Sequence, residues 1–133
     1  MSIDTYPSGK KVSRGDLVWW NGGKSIGVIV SIYDKSMAHN ILGLRKECVM
    51  ISNSISLGVD NNDGIIYDFD NFIEDGIEKL TDSVKDEIIS IFATMKERYN
   101  VNNLQIEYRK IPPRWIVRGI DWNKDRTIEF PAS

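Results

Sequence analysis

Residues 15–33 read Gly15-Asp16-Leu17-Val18-Trp19-Trp20-Asn21-Gly22-Gly23-Lys24-Ser25-Ile26-Gly27-Val28-Ile29-Val30-Ser31-Ile32-Tyr33. Two apolar runs flank Asn21-Gly22-Gly23, and Asn-Gly is the strongest short-range hairpin signal because both residues tolerate positive φ. The stretch therefore predicts a β-hairpin with strands near 16–20 and 25–33. In the second strand Ile26, Val28, Val30 and Ile32 alternate with Ser25, Gly27, Ser31 and Tyr33. The first set is assigned to one buried face and the second to a mixed face. Gly27 inside a strand marks a bend or a close backbone approach.

Upstream, residues 1–14 are polar and end in Lys10-Lys11-Val12-Ser13-Arg14, which reads as a loose lead-in. Downstream, Asp34 to Asn40 reads as a loop, and Ile41-Leu42-Gly43-Leu44 is an apolar run broken by glycine. Glu47 to Ser52 suits a half-buried strand. Short strands are expected at Ile55-Ser56-Leu57 and Gly64-Ile65-Ile66-Tyr67, separated by a turn at Asp60-Asn61-Asn62-Asp63-Gly64. Residues 68–76 predict a loop with a helical turn, and Ile77-Glu78-Lys79-Leu80 is placed as the segment that closes a barrel.

The clearest helix is predicted over 83–99. Val84, Ile88, Ile91, Phe92, Met95 and Tyr99 recur at spacings of three and four and form one apolar stripe. Ser83 with Asp86 forms a loose capping box, Lys96 and Arg98 suit the last turn, and Asn100 suits the C-terminal cap. Strands follow at 104–108 and 115–120, with a last one at 127–130. Pro112-Pro113 is taken to forbid continuous pairing between the first two of these. The expected fold is thus α+β in a single domain, 1–133. It has a small, strongly bent antiparallel sheet or barrel over 16–80, one long amphipathic helix, and a C-terminal β-segment over 104–130.

At 133 residues, 41% hydrophobic and 27% charged, the chain has the composition of a soluble globular domain. No run approaches the ~20 apolar residues of a membrane helix, and the first residues lack the pattern of a signal peptide. No membrane partner is therefore expected. One cysteine, Cys48, leaves no internal disulfide and points to a cytoplasmic home. The net charge of −2 hides an asymmetry. Residues 60–87 hold ten acids and two bases, net −8, and the rest carries fifteen bases and nine acids, net +6. Such polarity bears on partners more than on fold.

No catalytic kit is visible. Asp60-Asn61-Asn62-Asp63-Gly64 resembles the start of a calcium loop, but the twelfth residue is Asn71 where the pattern needs glutamate. His39 is the single histidine; Ser36 is its nearest nucleophile, and neither lies in a nucleophile elbow. One histidine and one cysteine exclude a structural zinc site. Gly22-Gly23-Lys24 lacks the remainder of a phosphate-binding loop. No cofactor is expected. Trp19 or Trp20 with Tyr33 and Tyr67 would form an aromatic cage for a methylated side chain, but packing beneath the 83–99 helix is the preferred reading. Arg109, Lys110, Arg114 and Arg118, interleaved with Tyr108 and Trp115, form the best basic stretch for nucleic acid. The −8 segment opposes that use.

Gly15-Asp16-Leu17-Val18-Trp19, a turn, and Gly27-Val28-Ile29-Val30-Ser31-Ile32 resemble the opening of Src-homology-3-like small barrels, including the KOW and Tudor types. The same N-terminal stretch, with Asp68-Phe69-Asp70-Asn71-Phe72-Ile73-Glu74-Asp75-Gly76-Ile77-Glu78, resembles in style the immunity proteins that bacteria make against polymorphic toxins. That resemblance implies a non-enzymatic protein that neutralises a basic toxin domain by stoichiometric binding. The expected surface is acidic and aromatic: Asp60, Asp63, Asp68, Phe69, Asp70, Phe72, Glu74, Asp75 and Glu78, with carboxylates steering encounter and the aromatics anchoring. The alternative is a small-barrel reader that binds a peptide or nucleic acid through exposed aromatics and the 109–118 basic stretch.

Overall fold

The computed structural model describes residues 5–56, 64–101, 103–121 and 124–132. The hairpin forms as expected, as β1 (Leu17–Trp20) and β2 (Ser25–Tyr33). Its turn places Asn21, Gly22 and Gly23 at φ of 55°, 67° and 83°, a left-handed run that glycine and asparagine accept at low cost. A short helical turn, α1 (Lys35–Met37), runs into a π-helical turn at Ala38–Leu42. There follow β3 (Cys48–Ser52), β4 (Ile55–Ser56), β5 (Ile65–Asp68), α2 (Phe69–Glu74), β6 (Glu78–Lys79) and α3 (Asp82–Tyr99). A C-terminal meander of β7 (Asn103–Arg109), β8 (Arg114–Asp121) and β9 (Lys124–Pro131) ends the chain.

All nine strands belong to one antiparallel sheet, with the order β5-β3-β2-β7-β8-β9; β1 pairs with β2 and carries β6 on its other edge. Among the described residues β6 pairs only with β1 and β5 only with β3, so the sheet is open. The segment expected to close a barrel instead adds an edge strand.

Both faces of the sheet are covered. On one, Ile88, Ile91, Phe92 and Met95 of α3 pack against Leu17, Ile26, Leu104, Ile106, Trp115 and Val117. On the other, Phe69 and Phe72 of α2 join Tyr6, Val12, Val18, Trp20, Ile29, Val49 and Ile51. Strand alternation therefore sends Leu17 and Trp19 to one core, and Val18 and Trp20 to the other. The single-face assignment of β2 is corrected. Ile26 and Val28 face α3 and Ile29, by ordinary alternation, the α2 side; Ile32 also joins the α2 side, because a bulge in the pairing with β3 between Ile29 and Ser31 shifts the alternation. Gly27 is a close approach, as expected: a Cβ there would lie 2.9 Å from Ile51 Cγ2 and 3.1 Å from Trp20 Cε3.

Four further expectations change. The lead-in is not loose: Thr5 bridges Lys11, and Tyr6 and Val12 are buried. The 34–40 loop is helical because the Asp34 side chain accepts the Met37 N–H at 2.8 Å and caps the turn, which Gly43 ends at a φ of 69°. The main helix starts one residue earlier than expected, with Thr81 rather than Ser83 as its cap. Pro112-Pro113 does not interrupt β7 and β8. The two strands pair from Leu104↔Gly119 to Arg109↔Arg114, and both prolines lie in the connecting turn, where no ladder N–H is needed. Leu57 and the 60–63 part of the acidic turn lie outside the described residues.

Candidate functional site

The expected acidic–aromatic surface divides when its residues are placed. Asp60 and Asp63 lie outside the described residues. Asp68 is the N-cap of α2; its Oδ1 accepts the Asn71 N–H at 2.8 Å. With Asp68 as cap, the helical period turns Phe69 and Phe72 inward, where they are 4% and 0% exposed. These two rings meet edge-to-face at 5.5 Å, and Phe72 packs at a tilt on Tyr6 at 5.7 Å. They hold the second core together and cannot reach a partner, which corrects their assignment as interface anchors. Asp70 and Glu74, one helical turn apart, point outward, and Asp75 follows as the C-cap. Glu78 stands elsewhere, on the β1–β6 edge, where its carboxylate accepts the Ser8 N–H at 2.6 Å and the Ser8 hydroxyl at 3.1 Å.

The structure therefore gathers Asp68, Asp70, Glu74 and Asp75 on the outer side of α2. What adjoins them is absent from the sequence reading. Lys46 Nζ lies 2.8 Å from Asp70 Oδ2, and the Phe69 N–H donates to the Glu47 carbonyl at 3.3 Å. These contacts tie α2 to the helical corner that precedes β3. On that corner Met37, Ile41 and Leu44 are exposed at 41%, 62% and 40%. Met37 and Ile41, four residues apart, share one side of the helical turns, and Leu44 follows just past the Gly43 cap. That pair is visible in the sequence once the corner is recognised as helical. The edge strand β5, which runs into α2, carries Ile65 and Ile66, both exposed.

Two members of the expected aromatic cage, Trp20 and Tyr67, meet at 6.2 Å, but Trp20 is only 6% exposed and offers no open face to a ligand. Trp20 Nε1 donates to the Tyr67 hydroxyl at 2.9 Å on the α2 side, while Trp19 stacks on Trp115 at 5.7 Å and meets Tyr108 edge-on at 5.7 Å on the α3 side. The basic stretch keeps Arg109 and Arg114 together as direct cross-strand partners, but its aromatics turn to the α3 face. Trp115 is buried; Arg114 lies 3.5 Å from Glu129 and Arg109 3.1 Å from Glu107.

The nucleophile candidates sit apart. His39 and Ser36 are exposed on the corner, and the Ser36 hydroxyl accepts from Asn40 at 3.4 Å. Cys48 is buried and its thiol donates to the Lys46 carbonyl at 3.1 Å. Burial, assisted by the Asp68 charge, pushes this thiol above its ordinary value, which disfavours the reactive thiolate. Among the described residues no three His, Cys, Asp or Glu side chains gather as a metal-holding group, and no helix is long and apolar enough to cross a membrane. Compared with family models, with curated proteins and with solved structures, the chain matches none.

Proposed function

We propose that this is a non-enzymatic binding protein that neutralises a basic protein partner by one-to-one occupancy, in the manner of a toxin immunity protein. One observation carries the reading. Three exposed apolar side chains, Met37, Ile41 and Leu44, lie on a helical corner bridged by the Lys46–Asp70 contact to the outward carboxylates of α2. Apolar anchors bordered by like charges are the arrangement in which charge steers encounter and buried side chains supply affinity. The carboxylates suit a partner whose own site is basic, such as a domain that handles nucleic acid. The anchors are those of the corner rather than Phe69 and Phe72. The alternative of a reader module loses support because Trp19, Tyr108 and Trp115 are stacked inward.

The test is reconstitution with the product of a toxin-bearing reading frame adjacent to the gene for this chain. A one-to-one complex in solution, rescue of growth on co-expression, and loss of both in Ile41→Asp are the expected results. Absence of complex and rescue rejects the reading.

A further inference from the structure

The β7–β8 hairpin turns through Lys110-Ile111-Pro112-Pro113. Ile111 is 92% exposed, and both prolines are exposed beside it. Turns ordinarily carry Gly, Pro, Asn, Asp or Ser; the two prolines fit that rule, and Ile111 is the apolar side chain that does not. The turn is also braced. Arg114 Nη1 donates to the carbonyls of Ile111 and Pro112, each at 3.0 Å, so the apolar tip is held out by a fixed turn. Cations surround its base. Arg109 and Lys110 come from the end of β7, and Lys24 comes from the β1–β2 turn, fastened there by the Tyr108 N–H to the Lys24 carbonyl at 2.8 Å. These three, with Ser25, Glu107 and Tyr108, line an open cleft of about 450 Å3. Arg109 is shared with Glu107, whereas Lys24 and Lys110 have no carboxylate partner among the described residues.

We propose that this end of the molecule docks on an anionic lipid surface. Ile111 enters the boundary between headgroups and acyl chains, and a lipid phosphate or carboxylate sits between Lys24 and Lys110. A braced apolar tip above unpaired cations matches both halves of such an interface, the apolar and the anionic. Single-stranded nucleic acid would use the same cations but stacks its bases on exposed aromatic rings. Here Tyr108 is the one aromatic among the cleft's described lining residues, and its ring is already packed against Trp19 and Trp115. Interfacial docking needs no spanning segment, so the lack of an apolar run long enough to cross a bilayer leaves it open. The inference is independent of the partner reading. The cleft lies at the Ser25 end of β2, while Asp68 lies in register with Cys48 and Tyr33 at the other end.

The experiment is co-sedimentation with vesicles of phosphatidylcholine containing about one-third phosphatidylserine, compared with phosphatidylcholine alone, at low and high salt. Binding to the acidic vesicles only, reversed by salt, is expected. Lys24→Glu with Lys110→Glu lowers the partition about tenfold or more. Ile111→Ser lowers it about fivefold and leaves the salt dependence in place. All three side chains are exposed, and an unchanged thermal midpoint confirms that the variants fold. Failure to bind acidic vesicles, equal binding to neutral ones, or wild-type binding by the double lysine variant overturns the proposal. So does binding of an oligothymidylate without binding of vesicles, which assigns the tip to nucleic acid. Inorganic phosphate that competes fully, together with an unaffected Ile111→Ser, reduces the cleft to a small-anion site and also overturns docking.

Discussion

Asp16 is the busiest carboxylate at the start of the sheet. Its Oδ2 accepts the Tyr6 hydroxyl at 2.7 Å and the Ser13 N–H at 2.9 Å, and Lys79 stands 3.6 Å from its Oδ1. Burial first, then the hydrogen bond to Asp16, raises the Tyr6 phenol well above its ordinary value of 10.0. The folded chain therefore keeps a proton that the unfolded chain releases above about pH 10, so this contribution to stability is complete below that pH and declines as pH rises through it. Denaturant midpoints measured from pH 7 to 11 will fall at the alkaline end, and Tyr6→Phe will flatten that fall. At neutral pH the same variant costs about 1 kcal/mol, the worth of one hydrogen bond. Gly27 is the other sensitive residue. A methyl carbon added there would meet Ile51 Cγ2 at 2.9 Å, with the Trp20 ring close behind, so Gly27→Ala will destabilise by about 1–3 kcal/mol through overpacking. Tryptophan fluorescence during urea unfolding will report it.

At the scale of elements, α3 is the one whose ends and face are written locally. Thr81 Oγ1 accepts the Val84 N–H at 3.3 Å, Asn100 closes the helix at φ 56°, and Ile88, Ile91, Phe92 and Met95 are buried. Thr81→Ala should cost about 1 kcal/mol of stability, measured by thermal melting of far-ultraviolet dichroism. Local signals of this kind make the hairpin, α3 and most strands legible in the sequence. What is not legible depends on partners distant in sequence. The β2 bulge is a property of its pairing with β3, so the plain alternation of Ile26, Val28, Val30 and Ile32 conceals that the strand changes sides. Whether Phe69 and Phe72 anchor a partner or a core turns on whether anything lies beneath them, and the answer is Tyr6 and Ile29. Met37, Ile41 and Leu44 escape notice because a three-residue α-turn joined to a π-turn carries too short a periodicity to announce itself. The carboxylates of the candidate site are legible, and its apolar half is not.

For the whole molecule, β2 spans nine residues, roughly 26 Å at ~3.3 Å per residue. The carboxylates of α2 begin near one end and Lys24, Arg109 and Lys110 gather at the other. The outward carboxylates of α2 and the Lys24–Arg109–Lys110 cluster thus stand at opposite ends of β2, although Glu87 of the acidic stretch reaches Trp115 near the basic end, and the α2 cluster sets the approach of a basic partner. In Asp70→Lys, Glu74→Lys, Asp75→Lys, association with a basic partner will slow about tenfold at low salt and lose most of its salt dependence. Asp68 is left intact because it caps α2. Ile41→Asp will instead accelerate dissociation, with little change in the rate of encounter. Stopped-flow measurements at two ionic strengths separate the two effects.

The place of β2 between two cores has a kinetic consequence. A strand that supplies Ile26 and Val28 to one core and Ile29 and Ile32 to the other cannot be released by opening either core alone. Amide protons of Ser25–Tyr33 that are bonded within the sheet should then exchange with deuterium only when the entire chain opens. Their exchange free energies should converge on the global value, while amides of the α1 corner and the 110–113 turn exchange far sooner. In a slow-exchange spectrum the last signals left will include those of β2, which, like β1, both cores share.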